Sequence, residues 1–196
     1  MKRREFIVGL GGAAAWPIAE RMRLIGVIMA LSSDDSEAQA RLAAFRQALQ
    51  ELDWIVGRNV RIEYRWSAGD GEHNRRNAAE LVGLGPDVIL ATGTPTLEPL
   101  LRATRTVPIA FVQVPDPVGA GLVDSLSRPG GNATGFATAD YTTAGKWLEL
   151  LKEIVPNVKH VALLRDANTG AGVGQWGASG HSAWTCAPLI CRSPQR

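Results

Sequence analysis

Three short polar clusters follow apolar runs in this chain of 196 residues. Ser32 and Ser33 come after residues 24–29, Thr92-Gly93-Thr94 after residues 87–91, and Gln113 to Pro117, with Asp116, after residues 109–112. The hydroxyls of Ser32, Ser33, Thr92 and Thr94 supply hydrogen-bond donors without full charge. Two of the clusters lead into helix starts, where free N–H groups and the helix dipole favour a carboxylate or another small anion. Asp116 offers the complementary anion for an ammonium. The same residue types serve as ordinary helix caps, and Asp116 beside Pro117 suits a turn equally well. Their joint placement at one sheet edge is what favours a binding site.

Groups able to break bonds are poorly arranged. His73 and His160 stand apart from any Ser, Cys or carboxylate set resembling a catalytic triad, and read as a surface loop residue and a strand-entry residue. Gly172-Val173-Gly174-Gln175-Trp176-Gly177 matches the dinucleotide pattern, yet no helix or downstream acid follows it. His181, Cys186 and Cys191 lack a fourth ligand and a zinc-like spacing, although the two cysteines could pair in an oxidising compartment. Asn132-Ala133-Thr134 matches a glycosylation sequon but reads as turn chemistry. No catalytic residue, metal site or cofactor is expected.

The positioning elements alternate along the chain. Residues 24–29 form a continuous apolar run, as expected of a strand buried on both faces of a parallel sheet. Asp34 offers a helix start, and Ala38, Leu42, Phe45, Leu49 and Leu52 recur at helical spacing. Residues 59–66 alternate like a half-buried strand, and Ala78, Leu81 and Val82 mark a second helix. Residues 87–91 give a third strand, Thr94 with Pro95 a capped helix, and residues 109–112 a fourth strand. A Pro/Gly-rich connection then runs to Gly135, as where a chain leaves one lobe, lines a cleft and enters a second. A short strand at 134–138, an amphipathic helix at 144–155 and a strand at 158–164 follow. This order predicts an α/β fold with a doubly wound parallel sheet.

Bulk properties agree with a globular protein. Hydrophobic residues make up 45% and charged residues 20%, and the net charge of +2 comes from scattered side chains, which excludes a nucleic-acid surface. The start differs from the rest. Lys2-Arg3-Arg4-Glu5-Phe6 precedes an apolar, Gly/Ala-rich run too short to anchor in a bilayer, so residues 1–22 read as a twin-arginine export signal without a clear cleavage site.

Taken together, the pieces resemble a family of bacterial ABC transporter substrate-binding proteins, of the type related to tryptophan- and tyrosine-binding lipoproteins. The resemblance lies in Arg3-Arg4-Glu5-Phe6, Ala44-Phe45-Arg46-Gln47 through Gly57-Arg58-Asn59-Val60, Ile62-Glu63-Tyr64-Arg65-Trp66, Ala91-Thr92-Gly93-Thr94, Pro115-Asp116-Pro117-Val118, Arg128-Pro129-Gly130-Gly131-Asn132 and Leu148-Glu149-Leu150-Leu151-Lys152. It implies a periplasmic-binding type I fold whose two lobes close around a small, amino-acid-like solute. Ser32, Ser33, Thr92, Gly93, Thr94 and Asp116 would then line the cleft. The implied partners are an ABC permease with its ATPase, and the implied location is the periplasm.

On that resemblance residues 23–132 form the first lobe and 133–166 begin the second. Residues 167–196 carry no period and read as an aberrant, disordered tail where family members continue, so the resemblance implies an incomplete second lobe and impaired binding. A flavodoxin-like or Rossmann enzyme using a nucleotide at the same edge is the alternative, disfavoured because no Gly-rich phosphate loop follows the first or third strand. A nonfunctional remnant is the third reading.

Overall fold

The computed structural model describes residues 21–138, 143–158, 160–166 and 185–191. Strand β1 (Arg23–Met29) sits inside a parallel sheet, with β2 (Val60–Trp66) on one side and β3 (Val88–Thr92) on the other. Next come β4 (Ile109–Val114) and β5 (Ala133–Ala137), giving the order β2-β1-β3-β4-β5. The direction of progression reverses between β1 and β3. That reversal opens a crevice beyond the carboxyl ends of those strands, where ligands bind in open α/β sheets.

Helices α1 (Ser36–Glu51), α2 (Gly71–Gly83) and α3 (Thr94–Ala103) follow β1, β2 and β3. Ile28, Ile89 and Phe111 pack with Leu81 of α2 and with Leu97 and Leu100 of α3, while Val27 and Met29 pack with Ala38 and Leu42 of α1. Helices thus lie on both faces of the sheet, as the apolar strands require. Gly26 lets α2 approach closely: a Cβ there would lie 2.8 Å from Leu81 Cγ.

The Pro/Gly-rich connection is ordered but does not cross between lobes. It links β4 to β5 of the same sheet, folding on itself through Leu122 N–H to the Pro117 carbonyl (2.9 Å) and Asp124 N–H to the Pro129 carbonyl (3.1 Å). Val123 anchors it in the core, and Asn132 Nδ2 donates to the Val107 carbonyl at 2.7 Å. The first sheet therefore extends past residue 132, because β5 opens with the buried Ala133 aligned against Ile109.

Three local expectations shift. The N-cap of α1 is Asp35 rather than Asp34, its side chain accepting from Ala38 N–H. His73 lies in α2 rather than in a loop, exposed and 3.7 Å from the Asp70 cap. Beyond α4 (Thr143–Ile154), β6 (His160–Asp166) pairs in parallel with β7 (Thr185–Cys191), so a strand forms where the sequence has no recognisable element. Pro188 within β7 hides it, since proline argues against a strand. Residues 1–20, the glycine-rich segment 172–177 and His181 lie outside the described residues. Among the described residues no cluster of potential metal ligands occurs.

Candidate functional site

Parallel pairing of β1, β3 and β4 brings the three polar clusters to one edge of the sheet, as expected. Their side chains divide into two kinds once there. Thr92 is committed to the framework: its hydroxyl accepts from Ala30 N–H at 3.1 Å and lies 3.4 Å from the Ile28 carbonyl, tying β1 to β3. Thr96, on the first turn of α3, donates to the Thr92 and Gly93 carbonyls at 3.0 and 3.1 Å.

Gly93, not Thr94, is the N-cap of α3, with φ 80° and ψ 159° that only glycine adopts freely. No side chain caps this helix, and Pro95 at its second position has no N–H. Thr94 is the first helical residue, and its hydroxyl oxygen is buried without a hydrogen-bond partner among the described residues. An uncapped helix start with a buried, unsatisfied hydroxyl has the composition of a small anion site.

The start of α1 is different. Asp35 occupies it, and beside it the Asp34 carboxyl is held below its ordinary range by the Ser32 hydroxyl and by its own backbone N–H. Ser32 is half-buried and Ser33 exposed, and the Ser33 carbonyl accepts from Gln39 Nε2 at 2.7 Å. Two carboxylates make this helix start less suited to an anion than the start of α3.

At the end of β4 the ladder is irregular between Phe111 and Val114, and Gln113 takes φ 59°. Arg41 of α1 donates to Gln113 Oε1 and pairs with Glu37. Asp116, at φ 45° and 3% exposed, accepts from Gly119 N–H at 3.0 Å through Oδ1. Its Oδ2 is buried with no partner among the described residues. Gly119 makes room for that carboxylate, since a Cβ there would stand 2.0 Å from Oδ2.

Beside these strand ends lies a cavity of about 300 Å³, lined by Met29, Leu42, Phe45, Leu90 and Val112 with Arg41, Thr92 and Gln113. Arg41 does not stand out in the sequence, and Gln113 does so only as the opening residue of the third polar cluster. The one signal is a glutamine interrupting the apolar strand β4. A larger cavity of about 430 Å³ lies between α3 and Ala120, Gly121 and Leu122, and none of the expected site residues lines it.

A family model described as ABC transporter substrate binding protein matches residues 24–175. The chain belongs to that family. It is 36% identical over 120 residues to a tyrosine-binding protein of Clostridioides difficile, covering 61% of this chain and 34% of that protein. Among solved structures, a conserved domain protein of Vibrio cholerae superposes with a TM-score of 0.74 at 28% identity, covering 87% of this chain and 58% of that one. An ABC domain of Streptococcus pneumoniae in complex with L-Trp superposes with a TM-score of 0.71 at 26% identity, covering 86% and 57%. The chain thus spans about a third of the curated relative and under two thirds of these solved structures. The fold is that of the type I periplasmic binding proteins. Membership sets aside the flavodoxin-like enzyme, which strand order alone would accommodate, because the family is one of solute-binding proteins.

Proposed function

We propose that this chain is the solute-capturing component of an ABC importer and takes an amino-acid-like ligand at the carboxyl edge of β1, β3 and β4. The observation that carries this reading is a pair of buried polar atoms without partners, Thr94 Oγ1 and Asp116 Oδ2, at the ends of adjacent strands. Unsatisfied buried groups are costly, and each is worth explaining. The ligand carboxylate sits on the Thr94 hydroxyl and the uncapped start of α3. Its ammonium pairs with Asp116, while Ser32 and Ser33 close the β1 side, Gly93 keeps the approach open, and Thr92 holds the strands that carry them.

The names of the relatives agree with this class, one being a tyrosine-binding protein and another an ABC domain holding L-Trp. The functional setting is the periplasm, reached through an export signal at residues 1–22, where the loaded protein docks on a permease with its ATPase. Residues beyond β5 begin the second lobe of the cleft, and hinge closure follows ligand binding.

A thermal-shift panel of L-tyrosine, L-tryptophan, L-leucine, short carboxylates and urea tests the reading. Saturation at about a hundred times the dissociation constant adds about 2.7 kcal/mol of stability. At least one amino acid should raise the melting temperature, and the decarboxylated amine of the same side chain should not. A flat response across the panel refutes the assignment.

A further inference from the structure

We infer, resting on the proposal that an amino acid binds at this edge, that Gln113, oriented by Arg41, selects the ligand side chain: an apolar body ending in a neutral hydrogen-bond acceptor. The cavity beside the strand ends is placed to take that side chain. Thr92 and Val112, aligned across β3 and β4, both line it. Thr92 immediately precedes Gly93 and Thr94, and Gln113 stands three residues before Asp116, so the lining adjoins both groups proposed for the ligand main chain. Its volume of about 300 Å³ is at the lower end for small-molecule sites, which suits one side chain rather than a larger ligand entire.

Met29, Leu42, Phe45, Leu90 and Val112 give the cavity apolar walls, and its three polar side chains differ in what they can still offer. Thr92 Oγ1 already accepts from Ala30 N–H and lies against the Ile28 carbonyl. A guanidinium can only donate, so the atom of Gln113 that Arg41 meets is Oε1. That contact settles which end of the amide is which. It leaves Gln113 Nε2, with its two N–H groups, without a partner among the described residues. Arg41 also pairs with Glu37, which offsets its charge. The polar groups left for a ligand are therefore donors, and beside a neutralised Arg41 they suit a neutral acceptor better than a carboxylate. A phenol hydroxyl meets that demand. A phenyl ring leaves the donors unpaired, and an indole N–H sets donor against donor.

Calorimetric titration of the full chain with L-tyrosine, L-phenylalanine and L-tryptophan tests this. L-Tyrosine should bind at least about fivefold tighter than L-phenylalanine, the effect of one hydrogen bond to an otherwise unpaired donor. Gln113→Met keeps the length of the side chain and removes its donors, so L-tyrosine should fall to the level of L-phenylalanine, whose own affinity stays within about twofold. Gln113→Glu keeps an oxygen for Arg41 and presents an acceptor in place of the donors, which should raise L-tryptophan above L-phenylalanine. Arg41→Met frees the amide to turn and should narrow the gap between L-tyrosine and L-tryptophan. A parent that binds L-phenylalanine as tightly as L-tyrosine overturns the inference. So does a Gln113→Met chain in which all three affinities fall together, the mark of a merely structural residue. Amino acids that bind with ratios indifferent to the three substitutions remove the role of Gln113 and leave the amino-acid ligand standing, whereas no binding by any amino acid removes both.

Discussion

Thr94→Val separates the two roles a threonine can play at the start of α3. The hydroxyl is buried, the residue is 1% exposed, and Oγ1 has no partner among the described residues. Burying an unsatisfied hydroxyl costs about 1–3 kcal/mol, and valine keeps the shape while removing the polar atom. The ligand-free variant should therefore match or exceed the parent in stability, by as much as about 1–3 kcal/mol, or several degrees at about 2–4 °C per kcal/mol. Binding moves the other way. A hydrogen bond to a charged ligand group contributes about 1.5–3 kcal/mol, so affinity should fall about 10- to 150-fold. Thr96→Val is the control two residues on: its hydroxyl is bonded to two carbonyls, so its loss should destabilise by about 1 kcal/mol. Thermal unfolding read with and without ligand, together with calorimetric titration, measures both quantities. A Thr94→Val protein that melts lower than the parent refutes the claim that the hydroxyl is unsatisfied, and unchanged affinity in a stable variant removes the start of α3 from the ligand site.

Two further outcomes follow from the same geometry. Gly119→Ala puts a Cβ 2.0 Å from Asp116 Oδ2, forcing the carboxylate off the Gly119 N–H at a cost of about 1.5–3 kcal/mol, which chemical denaturation would report as a lowered midpoint. Asp70 and Asp87 are held below their ordinary range, Asp70 by the His73 and Glu72 N–H groups and Asp87 by the Leu24 N–H and Arg23. Depressed carboxyls stabilise the fold above their unfolded value and lose that contribution as pH falls through the folded one. Stability should thus decline below about pH 4, and Asp87→Asn should flatten that decline in melts across acid buffers.

Much of this fold is legible because the physics is local. The apolar run of β1, the stripe carrying Ala38 and Leu42, and the break at Gly85-Pro86 each point to one element, and parallel alternation places the strand ends together. What escapes depends on distance in sequence. Gln113 and Arg41 are 72 residues apart and meet only in the folded chain, where α1 packs on the sheet. The preference for Gly93 over Thr94 as cap turns on a positive φ that no residue pattern announces. β5 joins the first sheet because Asn132 ties its entrance to the Thr104 and Val107 carbonyls.

The end of β4 sets the geometry of the edge proposed to take the ligand. Residues forced to positive φ cost free energy and persist where the surroundings over-determine them. Here Gln113 and Asp116, three residues apart, both adopt it at an irregularity of the ladder. Each is then held by a different element: Gln113 by Arg41 of α1, Asp116 by the Gly119 N–H within its own turn. An irregular ladder re-aims side chains that a regular strand would alternate between its faces. The strain therefore acts as positioning, fixing the Asp116 carboxylate just past the end of β4 without a long connecting loop. Thr92 ties β1 to β3, so on the proposed reading both poles of a small zwitterion meet groups that the framework holds in place.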